Sequence, residues 1–145
     1  MTDAPPRHPP SRGAAGPPIV IVAEDDDELR RLITAKLRRR GCRVLEARNG
    51  MELAQLLIER GLTPTPGTEG SAELVISDVR MPGLTGLEIV GLLRQVDWAM
   101  PVILVTGFGD DATHAEAAQL GACIFDKPVD LDCLIDASCA ALGLT

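Results

Sequence analysis

The chain has 145 residues, a net charge of −7 and 46% apolar residues, which suits a single globular domain with a substantial core. No apolar run is long enough to cross a membrane. The N-terminus lacks the apolar stretch of a secretory signal, and an acidic balance with no basic face argues against direct nucleic-acid binding. The four cysteines, Cys42, Cys123, Cys133 and Cys139, form no CxxC pair. They read as reduced core thiols of a cytoplasmic protein, not as a disulfide or zinc framework.

Residues 1–17 are rich in Pro, Ala, Gly and Arg and read as a disordered tail, leaving 18–145 as the domain. From Ile19 the chain alternates strand and helix signals. IVIVA, Ile19 to Ala23, is a continuous apolar run of the kind a parallel sheet buries on both faces. Acidic residues follow, then Leu29, Leu32, Ile33 and Leu37 at helical spacing, stopped by Gly41. A second strand is expected over Arg43 to Ala47 and a second helix over Gly50 to Arg60. The loop TPTPGTEGSA is longer than most helix-to-strand connections. Leu74 to Ser77 reads as the third strand, broken by the turn residues Met81-Pro82-Gly83. A helix from about Leu84 carries Leu87, Val90, Leu93 and Val96. PVILVT, Pro101 to Thr106, is the fourth strand, followed by an Ala-rich helix near Asp111 to Leu120. A short fifth strand is expected around Ala122 to Phe125, and a last helix carries Leu131, Leu134, Ile135 and Leu142.

Five strand–helix units with right-handed crossovers predict a three-layer α/β domain. At this length the arrangement is a (βα)5 flavodoxin-like, doubly wound parallel sheet with strand order 2-1-3-4-5. Its ligands sit beyond the carboxyl ends of the strands, where the winding reverses between strands one and three. The residues at that edge are Glu24, Asp25 and Asp26 after strand one, Asp78 after strand three, Thr106 after strand four and Lys127 after strand five. Crowded carboxylates repel, and a hard divalent cation relieves them. Mg2+ is served by two carboxylates and a backbone carbonyl. Lys127 and Thr106 add a cation and a hydroxyl facing the same pocket, a set suited to a phosphoryl group. A carboxylate can attack phosphorus, and Asp78 is central.

Each residue alone has a plainer reading. Glu24 to Asp27 could only complement a helix dipole, Asp78 could be a turn residue, Thr106 a strand-end hydroxyl and Lys127 a solvated lysine. The conjunction in one order carries the argument. His8 and His114 receive no role.

The segments VAEDDDELR, ISDVRMPGLTG, VILVTGFGD and FDKP resemble the four signature segments of two-component response-regulator receiver domains. The likeness covers about Pro18 to Leu142. It implies that Asp78 is the phosphoacceptor. It also implies that Asp25, Asp78 and the main-chain carbonyl of Arg80 ligate Mg2+, with Glu24 acting mainly through bound water. Thr106 and Lys127 would contact phosphoryl oxygens, and Lys127-Pro128 would be a cis peptide. Phosphate would draw Thr106 inward and shift the face of helix four, strand five and helix five between two states. The implied partners are a sensor histidine kinase or histidine phosphotransfer protein and a downstream protein target.

Two departures from the pattern follow. Ile124 stands where the family usually has an aromatic residue three before the Lys, and Phe125 should point to the opposite sheet face. GACIFDK is about one residue short, so a register adjustment is expected near strand five. The reading is a stand-alone phosphoacceptor, not an enzyme. Two other classes share features with it. A haloacid-dehalogenase-like phosphatase would need a general-acid Asp at the position of Arg80, and a receiver that binds partners without phosphorylation would not need the intact acidic, Thr and Lys set.

Overall fold

A computed structural model describes residues 16–60, 71–82, 84–95, 100–107 and 109–144. Most of the expected tail, most of the TPTPGTEGSA loop, Gly83 and Val96 lie outside the described residues. In chain order the elements are β1 (Ile19–Ala23), α1 (Asp27–Arg39), β2 (Arg43–Ala47), α2 (Gly50–Arg60) and β3 (Ala72–Asp78). They continue with α3 (Gly86–Gln95), β4 (Val102–Thr106), α4 (Asp111–Gln119), β5 (Cys123–Asp126) and α5 (Leu131–Leu142). The strands form one sheet in the order β2-β1-β3-β4-β5, and every pairing is parallel. This is the expected doubly wound fold.

Side chains of successive strand residues go to opposite faces, and the core divides accordingly. Ile19, Ile21 and Ala23 of β1 pack with Leu53 and Leu57 of α2, Ile89, Val90 and Leu93 of α3 and Ala117 of α4. Val20 and Val22 pack on the other face with Ile33 and Leu37 of α1 and Leu134, Ile135, Cys139 and Leu142 of α5. β1 and β4 are buried at every residue, as strands covered on both sides must be.

The helix starts have local causes. Asp26 caps α1 by accepting from the amides of Glu28 and Leu29, Asp110 caps α4, and Asp130 caps α5, each meeting amides that the helix itself leaves unpaired. α3 begins at Gly86, two residues later than expected from Leu84, because Thr85 and Glu88 form a reciprocal capping box. The Glu88 amide donates to Thr85 Oγ1 at 3.1 Å and the Thr85 amide to Glu88 Oε1 at 3.2 Å.

Three further expectations are corrected. β3 starts at Ala72 rather than Leu74: Ala72 and Leu74 pair with the consecutive residues Ile19 and Val20 of β1, leaving Glu73 as the extra residue of a bulge in β3. The register adjustment expected at β5 is absent: Ile103 to Thr106 pair one for one with Cys123 to Asp126. Of the cysteines, only Cys42 and Cys139 are buried, while Cys123 and Cys133 are exposed. Cys123 lies at the start of the edge strand, and Cys133 lies on the outer side of α5, one residue before the inward pair Leu134 and Ile135. Ile124 and Phe125 do take opposite faces.

Candidate functional site

Parallel pairing carries all five strand ends to one edge. Central β3 ends at Asp78, which is flanked by the ends of β1 and β4. Glu24 follows β1 at once, and its amide donates to the Ala47 carbonyl at 3.0 Å, continuing the sheet one residue further. Beyond it the acids divide their roles. Glu24, Asp25 and Asp78 each bring a carboxylate oxygen within 4.8 Å of the others. Asp26 turns away to cap α1, and exposed Asp27 pairs with Arg30. The helix-dipole reading therefore suits Asp26 and Asp27, and the site reading suits Glu24 and Asp25.

Lys127 closes the group. Its Nζ lies 2.9 Å from Asp78 Oδ2 and 3.1 Å from Glu24 Oε1. Its amide donates to the Thr106 carbonyl at 2.7 Å, which ties the end of β4 to the segment after β5. The Lys127-Pro128 peptide is cis, as expected. Thr106 is buried at the tip of β4. Arg80 is exposed, and its amide donates to Asp78 Oδ1 at 3.1 Å. The Val79 amide donates to Val105 on β4 at 2.9 Å. All the expected positions therefore converge on one edge.

The electrostatics follow from burial. Glu24 is 2% exposed, and its pKa is raised to about 7, chiefly by desolvation and with help from hydrogen bonding to Asp25 and the charge of Asp78, against the opposing Asp26 amide. Burial opposes the charge on Lys127, yet bonds to Asp78 and Glu24 outweigh it and hold the ammonium above the ordinary lysine range. Three carboxylates face one ammonium here, and carboxylate oxygens are the donors that a hard divalent cation prefers. The residues present fit such an ion.

Sequence reasoning passed over one residue at this edge. Arg30 is buried, and its Nη1 donates to the main-chain carbonyl of Glu24 at 2.8 Å. Its signal was position: Arg30, Ile33, Thr34 and Leu37 form the buried stripe of α1. His114 pairs with Asp126 Oδ1 at 3.0 Å, linking α4 to β5.

The family model of the response regulator receiver domain matches residues 20–138, and the chain belongs to that family. It is 40% identical over 102 residues to the transcriptional regulatory protein FixJ of Azorhizobium caulinodans, covering 63% of this chain and 48% of that protein. It is 28% identical to sporulation initiation phosphotransferase F of Bacillus subtilis, covering 75% of this chain and 81% of that one. The chain thus spans about half the length of FixJ and most of the shorter relative. Among solved structures it resembles the receiver domain of Francisella response regulator 1452, with a TM-score of 0.73 at 26% identity over 87% of this chain and 97% of that one. A receiver domain protein from Clostridium thermocellum is similar, with a TM-score of 0.74 at 28% identity over 87% of this chain and 94% of that one. Among the described residues no helix is long and apolar enough to cross a membrane.

Proposed function

We propose that this receiver domain accepts a phosphoryl group on Asp78 from a histidine kinase or histidine phosphotransfer protein in the cytoplasm, and passes the signal to a downstream protein by docking. The observation that carries the reading is the gathering of Glu24, Asp25 and Asp78 within 4.8 Å beside Lys127 at one sheet edge.

In this reading a carboxylate oxygen of Asp78 attacks phosphorus as the bond to the donor nitrogen breaks, leaving an aspartyl-phosphate. Asp25, Asp78 and the Arg80 carbonyl would hold Mg2+, with Glu24 assisting through water. When bound, Mg2+ neutralises phosphoryl charge and so lowers the barrier to transfer. Lys127, already 2.9 Å from the Asp78 carboxylate, transfers its hydrogen bond to a phosphoryl oxygen. Thr106 donates its hydroxyl to another, and the inward movement this requires at the end of β4 biases the α4–β5–α5 face between two states. The chain is a phosphoacceptor and not a turnover enzyme.

Ile124 favours a second reading. It packs partly buried against the α2–α4 side of the core and has no ring to rotate, which suits a module that docks without phosphorylation. Acetyl phosphate with Mg2+ separates the two. The parent should gain one phosphoryl group by intact mass, and Asp78→Asn should gain none, because an amide is neither the nucleophile nor a full ligand. Undiminished labelling of Asp78→Asn would remove the assignment, and an unlabelled parent would favour the second reading.

A further inference from the structure

Arg30 behaves unlike its neighbours. Arg31, Arg38 and Arg39 on the same helix are exposed, whereas Arg30 is only 6% exposed. A buried guanidinium destabilises the fold unless its donors are met. Nη1 donates to the Glu24 carbonyl at 2.8 Å, Nε to Glu46 Oε1 on β2 at 3.2 Å, and Nη2 to Asp27 Oδ1 at 2.6 Å. Asp27 is largely in solvent, where an ion pair contributes little. The buried bond to Glu24 is the informative one.

The Glu24 carbonyl and the Asp25 amide belong to one planar peptide. Holding that carbonyl therefore fixes the plane from which the Asp25 Cα and its carboxylate depart. Two other bonds pin the same turn: the Glu24 amide donates to the Ala47 carbonyl at 3.0 Å, and the Asp26 amide donates to Glu24 Oε2 at 3.0 Å. The Asp25 carboxylate is exposed, and it lies beside the carboxylates of Glu24 and Asp78. Repulsion from Asp78 drives it outward to water, so apart from a hydrogen bond with Glu24 its place in the cluster depends on the backbone beneath it.

We propose that Arg30 is a positioning residue for metal binding: anchored on Glu46, its guanidinium fixes the Glu24–Asp25 peptide so that the Asp25 carboxylate is presented beside Asp78. This rests on the reading of the acid cluster as a Mg2+ site. The planar fork matters because it reaches the carbonyl and Glu46 together, which a lysine ammonium does not. Charge and geometry also predict opposite signs. The guanidinium charge by itself opposes a cation, so removing only that charge would tighten Mg2+ binding, whereas removing the anchor weakens it.

Calorimetric titration of the full chain with Mg2+ tests this in the parent, Arg30→Met, Arg30→Lys and Leu134→Ala. The last is a core variant in α5 that removes no bond to the turn. Arg30→Met is expected to bind about ten-fold more weakly or worse, as loss of a partner that orients a metal ligand commonly does. Leu134→Ala should keep the parental affinity. In metal-free protein, hydrogen exchange at the Asp25 and Asp26 amides should quicken in Arg30→Met while that at Val22 does not. Equal or tighter binding by Arg30→Met, or an equal loss in Leu134→Ala, overturns the inference. Should Arg30→Met not fold, Arg30→Lys carries the test: weaker binding supports it, and parental or tighter binding overturns it. A parent that takes up no Mg2+ removes the metal reading and this inference with it, whereas parental affinity in Arg30→Met removes this inference alone.

Discussion

Among single residues, Glu24 carries the heaviest electrostatic load. Its carboxyl is almost wholly buried, 3.1 Å from Lys127, and its pKa stands at about 7 chiefly because burial penalises the charge. In the unfolded chain the same group titrates near the ordinary glutamate value of about 4.3. Between those two values the folded metal-free domain holds a proton that the unfolded chain has lost. The resulting stabilisation is complete below the unfolded value and disappears as pH rises through about 7. The thermal midpoint of metal-free protein is therefore expected to fall between pH 5.5 and 8, and Glu24→Gln should make that slope shallower. A slope unchanged in Glu24→Gln would show that Glu24 titrates normally.

At the scale of elements, the connection from β3 to α3 is held by two glycines. A Cβ on Gly50, the first residue of α2, would run into the Leu84 main chain, and the Gly50 amide donates to the Pro82 carbonyl at 3.1 Å. A Cβ on Gly86 would lie 2.6 Å from the Asp78 carbonyl. α2 and α3 can therefore sit this close to the acceptor loop only through glycine. Gly50→Ala should lower stability by about 1–3 kcal/mol, the usual cost of overpacking, as read by denaturant unfolding; a change below the error of the midpoint would mean that the loop yields freely. None of this is visible in a linear reading, because Gly50 meets a segment more than thirty residues away. What was legible is what local chemistry decides. β2 and α2 have the expected bounds, the helix set by a stripe of leucines. The site was legible for a topological reason: once the strands are parallel, the residues just after each one must share an edge. Arg30 was not, since its burial depends on Glu46, sixteen positions on in another strand. The exposure of Cys133 and the early start of β3 likewise follow from helix facing and strand pairing rather than from composition.

In the whole molecule, one sheet separates two apolar clusters and presents the site where its central strands end. β1, β3 and β4 contribute to both clusters by alternation, with Val75 facing one side and Leu74 and Ile76 the other. Among the described residues both apolar clusters are built on the sheet, so loss of packing on one face removes support for strands that the other face needs. This predicts a single cooperative unit. Leu53 of α2 and Leu134 of α5 are both fully buried, on opposite faces. Leu53→Ala and Leu134→Ala are each expected to destabilise the whole domain by about 2–5 kcal/mol through lost burial and the cavity left behind. In urea each variant should show one transition with its slope unchanged, since the surface exposed on unfolding is the same. Amide signals from α2 and α5 should disappear together in both variants. If α5 signals were lost in Leu134→Ala at a urea concentration where α2 signals persist, the two faces would be separate units. The acidic edge would then owe its geometry to one layer alone.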